Sequence, residues 1–554
     1  MAKVFLEVYN LLDEIAEVPV PSAVCIFLMS YLRSPSNIEL VLVESEREAV
    51  SLSVNVGTLR YRSVTQESLN SPIRDCHLPV FSTTDTTSCV AGLCAVLRQI
   101  VKNSGEEWRH LLGFREGCLF ACAEVSLWTR FCEIDIIEVV KDLSSDTVLN
   151  VKVFEVPRHL ARFEEHLKQP VRMHNVDKLR KKMNRDCVDH EFAEGHTMSL
   201  ADLMIIPCVR VIFQLLSGLT LAPLLPSVLR WYQLVISQDH VSEALDTIQE
   251  VPSQLLGNSE DINCVLPEVP LHSLYKSDPK RYKPKWKIFT RQDDVDAALK
   301  VVEDLALDLE YDPLPFGHEV PLDWQGVPGG VQPDVPSDRL ARKRQQLENL
   351  SKAIIKVARP GDTIVDFCCG SGHLGIVVAH CLPQCHVVLL DNKEESLARA
   401  KARVRDLTLS NVTVIQCNLD YFKGSFQIGV SLHACGVASD LVIHSCLQRN
   451  ATFVVCPCCY GSLQNNHMVS YPQSSEMSLL SLHHYLVLGH CADQTHKQLY
   501  DKSAQGERCM AIVDYDRCLL ARERGYSTSL AKLIPQTCSP KNNLIVGIPN
   551  NFVF

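Results

Sequence analysis

The chain has 554 residues, 46% of them hydrophobic and 21% charged, an ordinary globular composition with length enough for several domains. Its formal net charge is −11, and no apolar run reaches the length of a membrane span. Composition thus excludes a disordered, fibrous or membrane-embedded protein. The opening MAKVFLEVYNLLDEIAEV carries acids early and has no signal-peptide pattern, so a cytoplasmic protein without a membrane partner is expected.

The charge is unevenly spread. From Ser337 onward there are 22 Lys+Arg and 17 Asp+Glu, net +5, whereas the first 336 residues carry 32 and 48, net −16. A basic excess in one region permits a polyanionic substrate there. Of 24 cysteines, ten lie between Cys368 and Cys459. In a reducing compartment they are expected as thiols, most of them small buried apolar residues.

Residues 1–85 carry weak signals. Ala23 to Leu32 reads as an apolar helix and Glu39 to Val43 as a strand. Leu78-Pro79-Val80 is an extended dipeptide leading through Phe81 into a turn. Cys89 to Val101 then reads as an apolar helix. Between 105 and 250 the periodicity is helical, with apolar faces over Trp108–Leu112, Leu119–Cys132 and Leu203–Leu216. Ser199-Leu200-Ala201-Asp202 is a capping-box sequence that opens a buried helix.

These stretches resemble glutathione S-transferases. In that family a Ser-x-x-Asp cap opens a core helix after an approach like the GHTM found here, and residues 225–245 resemble its last helices. LPVFSTTDTTSCVAGLCAVLRQI resembles the end of its thioredoxin-like half. The resemblance puts Pro79 at the cis-proline and Thr87 and Ser88 where the γ-glutamyl group is gripped. It implies a degenerate thioredoxin-like α/β domain over 1–85 and an all-helical transferase C-terminal-like domain over 86–250. An unrelated helical bundle is the plainer alternative. No early Tyr, Ser or Cys stands in the family's catalytic context, since Tyr9 is followed by Asn10 and Leu11 without a turn-and-helix pattern. Glutathione is therefore not expected as a ligand, and the half is read as a binding module for protein partners.

Residues 251–336 are rich in proline and acids and read as a linker with embedded structure. Within it, KSDPKRYKPKWKIFTR, from Lys276 to Arg291, alternates seven basic residues with Tyr282, Trp286 and Phe289. Bases stack on such aromatics while the cations meet phosphates. The competing reading is a solvated basic strand whose aromatics pack on a neighbouring domain. Arg339 to Arg344, RLARKR, opens a helix running to Val357 and extends the same patch.

From 364 to 391 the chain reads IVDFCCGSGHLGIVVAHCLPQCHVVLLD. Ile364–Phe367 is a buried strand, Leu374–Cys381 an apolar helix and Val387–Leu390 a second strand. Gly370, Ser371 and Gly372 let the backbone turn close to a ligand at the helix N-terminus. Asp391, closing the second strand, suits ribose hydroxyls. Gly370, Gly372 and Gly375 fit G-x-G-x-x-G, which leaves a nicotinamide dinucleotide site and a plain βαβ turn open beside other nucleosides. Alternation continues with strands over Val412–Cys417, Ile428–Leu432 and Ala451–Val455. A helix opens at Val437.

VDFCCGSG resembles the first motif of class I S-adenosylmethionine methyltransferases, although Cys368 stands where that family most often has its first glycine. The resemblance implies S-adenosylmethionine as cofactor, with Asp366, Gly370, Gly372, Asp391, Asn418 and Asp420 around it and a Rossmann-like domain over 337–554. SLHACGVASDLVIHSCL followed by CPCCYG resembles a tRNA ribose methyltransferase family, with Tyr460-Gly461 in place of its histidine pair. The whole layout resembles the glutathione S-transferase C-terminal domain-containing proteins of animals, again including Asp514-Tyr515-Asp516-Arg517 and Ser539-Pro540-Lys541-Asn542-Asn543.

Methyl transfer from a sulfonium mainly requires in-line alignment of the acceptor. His433 and Asp440 are the candidate bases, Cys458 the candidate pocket or nucleophilic thiol, and Lys541 the candidate phosphate partner. No metal is expected, although Cys456, Cys458 and Cys459, with His433 and Cys435 across the sheet edge, leave a zinc site open. The expected function is methylation of RNA. A protein acceptor, or a non-catalytic scaffold retaining enzyme folds for binding, is the alternative.

Overall fold

A computed structural model describes residues 1–554 apart from 47–49, 146–151, 172–180, 182–188, 254–261, 278–290, 308, 313–321, 323, 326, 496–499 and 551–554. The aromatic–basic segment, with Tyr282, Lys283, Lys285, Trp286, Lys287 and Phe289, lies outside the described residues. The chain forms two compact units, Met1–Lys287 and Ile288–Phe554.

In the first unit, β1 (Ala2–Val8), α1 (Val20–Tyr31), β2 (Ile38–Glu44), β3 (Tyr61–Thr65), β4 (Val80–Ser82) and β5 (Ser88–Ala91) precede α2 (Leu93–Ser104). The strands lie in the order β5-β4-β1-β2-β3. β1 runs parallel to β2 and antiparallel to β4, which is the thioredoxin-like arrangement. The Leu78–Pro79 bond is cis, as the transferase resemblance implies. Two sequence expectations change here. Cys89–Val101 is not one helix: Ser88–Ala91 pairs with β4, and the helix begins only after Gly92, whose φ of 102° no helix accepts. Leu119–Cys132 is helical only from Leu127, where Ser126 caps Thr129 N; Leu119 itself sits at φ 50°.

The helical part of this unit adds α3 (Ile136–Ser144) and α4 (Arg158–Lys168) and is organised around α5 (Leu200–Leu215). Asp202, fully buried, accepts from Ser199 N (2.8 Å), Ala193 N (2.7 Å) and Trp231 Nε1 (2.8 Å). Burial pushes its carboxyl up to about 6, and these donors compensate the buried oxygens. At the γ-glutamyl position, Thr87 and Ser88 instead donate to Asp85 within the chain (2.7 Å each).

The second unit contains α7 (Gln292–Asp304), α8 (Ser337–Val357), β6 (Thr363–Phe367), α9 (His373–Cys381), β7 (His386–Asp391), α10 (Glu394–Asp406), β8 (Val412–Gln416), β9 (Ile428–Cys435), α11 (Ala438–Arg449), β10 (Thr452–Cys458), α12 (Leu482–Ala492), α13 (Tyr500–Glu523), β11 (Tyr526–Lys532) and β12 (Asn543–Pro549), α6 being Pro226–Ile236 of the first unit. Its strands run β8-β7-β6-β9-β10-β12-β11. The first five are parallel, and β12 is antiparallel to both neighbours. Apolar runs such as HVVLLD are buried along their length because helices cover both faces. Leu347, Leu350 and Ile354 of α8 pack on one face with Leu374 and Val377 of α9. Val295, Ala298 and Val302 of α7 pack with Leu441 of α11 and Tyr485 of α12. A segment read as linker thus supplies a core helix. Among the described residues, no helix is long and apolar enough to cross a membrane.

Candidate active site

The strand order reverses between β6 and β9. From β6 the chain moves to β7 and β8 on one side, while β9 leads to β10 on the other. The carboxyl ends of strands at such a switch point form a crevice that binds ligands.

After β6 the backbone turns sharply, with positive φ at Cys368 (54°), Gly370 (57°) and Gly372 (72°). Cys368 therefore adopts the left-handed conformation that glycine ordinarily supplies there, at a strain of about 1–2 kcal/mol. The three glycines divide the work. A Cβ on Gly370 would meet nothing within 4 Å, so this position borders open space. A Cβ on Gly372 would meet Leu389, Ala400 and Ile376 at 3.0–3.3 Å, and one on Gly375 would meet Leu389 Cδ2 at 2.2 Å. A side chain at Gly372 would thus enter the packing of α9 and α10 on β7.

Acids line the crevice. Asp366, buried, accepts from Gly375 N at 2.8 Å. Burial, with the Asp391 charge adding to it, pushes its carboxyl up to about 7 against the pull of Gly375 N–H and Lys343. Asp391 accepts from Gly370 N and Lys393 N, 2.8 Å each, so it holds the turn in shape as well as ending β7. Asn418 Oδ1 receives Asn392 Nδ2 at 3.4 Å. Asp420 Oδ1 is buried with no hydrogen-bond partner among the described residues, and burial raises the carboxyl against the pull of the backbone N–H groups of Asp420 and Tyr421. An orphaned buried acceptor beside an open glycine turn fits a nucleoside-bearing ligand with its own donors.

His433 Nε2 faces Gln346 Oε1 at 2.9 Å. That acceptor puts the ring proton on Nε2 and leaves the lone pair on Nδ1. Burial, and next Lys343, push His433 down to about 4, so it is neutral near pH 7. Lys343 was not singled out from RLARKR, yet its charge acts on Asp366, Cys456, Cys458, His373 and His433. The signal available in the sequence was its place nearly two turns inside a helix that leads to the first motif.

Two other candidates are engaged in structure. Asp440 is 0% and Arg517 1% exposed. Arg517 donates to both Asp440 oxygens (2.7 and 2.8 Å), and Tyr471 Oη (2.6 Å) and Gln473 Nε2 (2.7 Å) take the remaining lone pairs. Four donors leave no lone pair for a substrate proton, which removes Asp440 as a base. Arg517 also pairs with Asp514 (2.7 Å), which accepts from Tyr460 Oη and Asn543 Nδ2. The Asp514–Arg517 and Ser539–Asn543 motifs are thus a buried polar hub under the CCYG turn. Lys541 is bonded to Ala492 O and to Asp493 Oδ1 (3.1 Å), so it is already partnered rather than free for phosphate.

Cys458 Sγ lies 3.3 Å from Cys435 Sγ and 3.6 Å from Cys459 Sγ, and Cys459 Sγ lies 3.2 Å from Cys435 Sγ. Hydrogen bonding to Cys435, with burial, pushes the Cys458 thiol up, which opposes its use as a nucleophilic thiolate. The hydrogen bond from Cys458 holds Cys435 down at about 6. Cys456 stands apart, its sulfur toward Lys541 O at 3.8 Å. The structure therefore brings Asp366, Gly370, Asp391, Asn418, Asp420 and His433 to one sheet edge, with Cys435 ending β9, Cys458 ending β10 and Cys459 just after it there too.

A family model described as a methyltransferase domain matches residues 342–466, the span from Lys343's helix to the CCYG turn. A glutathione S-transferase C-terminal domain-containing protein homolog of Drosophila pseudoobscura pseudoobscura is 39% identical, with 95% of each chain covered. The glutathione S-transferase C-terminal domain-containing protein of Bos taurus is 34% identical, with 96% of each covered. A ribosomal RNA small subunit methyltransferase G of Chlorobaculum tepidum is 28% identical over 93 residues, covering 16% of this chain and 43% of that one.

Proposed function

The chain belongs to the family of glutathione S-transferase C-terminal domain-containing proteins, and from that premise we propose that it transfers methyl groups from S-adenosylmethionine to RNA. Its second unit holds a class I methyltransferase domain. The observation that carries the cofactor reading is the unpartnered, buried Asp420 Oδ1 beside a turn that is open at Gly370 and ends on Asp391. Asp391 would meet ribose hydroxyls with its remaining lone pairs, and Asp420 an adenine donor. The bound cofactor supplies an already activated methyl group. The protein's own residues then need only orient the acceptor and move a proton. His433, neutral with its lone pair on Nδ1, is the group able to take that proton. Lys343 supplies a fixed cation at the same edge.

RNA as acceptor rests on charge and on kinship. The region from Ser337 is net basic within an acidic chain, and a relative of the domain is named for ribosomal RNA methylation. The first unit, transferase-like but without a recognisable catalytic residue, serves as a binding module in this reading.

The test is transfer of radiolabelled methyl from S-adenosylmethionine into total cellular RNA, with binding measured across a salt series. Label in RNA, with affinity that falls steeply as salt rises, is expected. Replacing Lys283, Lys285 and Lys287 by Ala should flatten the slope of log affinity against log salt by about 2–3. Label recovered only in protein would reassign the acceptor. Absence of S-adenosylmethionine binding by calorimetry would reduce the domain to a scaffold.

A further inference from the structure

We propose that Cys435, Cys458 and Cys459 form a three-thiolate site for a soft divalent metal ion, zinc being the expected occupant, at the sheet edge beside the methyltransferase crevice. Among the described residues these are the only three thiols gathered at one point, and their sulfurs are 3.2, 3.3 and 3.6 Å apart. Sulfurs bound to zinc at ~2.3 Å in tetrahedral geometry stand ~3.8 Å from one another. Binding would therefore spread the trio by a few tenths of an ångström, with no rearrangement of strands. Three protein sulfurs leave the fourth position to water or to a donor atom of a substrate, and thiolate ligands select zinc over the hard cations.

The backbone is shaped to make this meeting. Cys435 and Cys458 are paired residues of neighbouring parallel strands, but the register slips between Leu432 and Cys435. Positive φ occurs at His433 (68°), Gly436 (59°) and Cys459 (54°). Two of those residues carry side chains, and such strain persists only where the surroundings over-determine it. The turn after Cys459 packs against Gly436. A Cβ on Gly436 would lie 2.8 Å from Ser462 O, so only glycine fits there. Asp493 accepts from Tyr460 N (3.2 Å) and Gly461 N (2.8 Å), which anchors that turn.

The trio also differs from ordinary buried thiols of this chain. Cys25, Cys208 and Cys446 are single buried cysteines. Cys435 is exposed, so an ion can reach the cluster from solvent. On binding, each thiol that still carries a proton releases it to the solvent as its sulfur takes the metal. Of the ligands the sequence left open, the structure gathers Cys435, Cys458 and Cys459 and leaves Cys456 outside, its sulfur toward Lys541 O.

The test uses the full chain purified reduced and without chelators. Elemental analysis should find about one zinc per chain, and added cadmium should raise a thiolate-to-metal absorption that saturates at one equivalent. Cys435→Ser and Cys459→Ser should lose both signals, while Cys264→Ser, in the first unit, should keep them. Should the variants fail to fold, alkylation of the wild-type chain decides. One equivalent of zinc should slow modification of Cys435 at least tenfold and leave Cys264 unchanged, as read by peptide mass spectrometry. Metal-free chain with no cadmium band and no protection of Cys435 would overturn the site. So would a disulfide within the trio in place of metal.

Discussion

The Asp440–Arg517 pair separates a structural reading from a catalytic one. Asp440→Asn keeps shape but sets an amide NH2 against donors from Arg517 and Tyr471. Both partners are essentially inaccessible to solvent. Breaking a buried ion pair from one side costs about 3–5 kcal/mol. Asp514 remains 2.7 Å from Arg517 and compensates part of its charge, so the loss should fall near the lower end, about 3 kcal/mol. For a unit of this size that lowers the unfolding midpoint by roughly 6–12 °C. Urea unfolding followed by circular dichroism would measure it. S-adenosylmethionine affinity, read at a temperature where the variant is folded, should change little. If Asp440→Asn unfolds within 1 kcal/mol of wild type yet abolishes methyl transfer, the structural assignment is wrong and Asp440 returns as a base.

Three further outcomes follow from the same geometry. Gly375→Ala should cost about 1–3 kcal/mol of stability by overpacking against Leu389, while Gly370→Ala, whose Cβ meets only open space but whose φ of 57° strains an alanine by about 1–2 kcal/mol, should in addition weaken cofactor binding; unchanged S-adenosylmethionine affinity in Gly370→Ala would contradict this. Asp391→Ala should reduce both S-adenosylmethionine affinity and stability, because it removes the acceptor for Gly370 N and Lys393 N, each such bond to a charged group being worth about 1.5–3 kcal/mol; Asp391→Asn, which keeps one acceptor, should recover part of the stability. Burial holds His190 and His373 down at about 4; a histidine depressed below its unfolded value near 6.5 contributes stability that is full above that value and lost as pH falls toward 4, so unfolding midpoints should drop across that window and the His190→Gln, His373→Gln double variant should flatten the drop.

Much of the architecture was legible in the sequence because it depends on local chemistry. The apolar runs from Ile364 to Leu390 with glycines between them specify strand, turn, helix and strand, and the observed bounds differ by a residue or so at the ends. Ser199 and Asp202 announce a helix start because capping is a contact three residues long. Cys89–Val101 misled for the complementary reason: its composition suits a buried helix or a buried strand, and Gly92's φ together with pairing to β4 decided between them. The family, too, was recognisable from motifs, since cofactor turns repeat the same local geometry.

What the tertiary structure alone decided is which polar residues are spent and which are free. Asp440 and Lys541 look like a base and a phosphate partner in one dimension, and only Arg517, 77 residues away, and Asp493 show them already partnered. Lys343 looks like one cation among several until α8 brings its charge to bear on Asp366 and His433. Cys435 joins Cys458 and Cys459 only because β9 and β10 are neighbours with a slipped register. Sequence spacing reports what is close along the chain, whereas hydrogen-bond saturation, burial and sulfur–sulfur distance are properties of packing between segments distant in sequence.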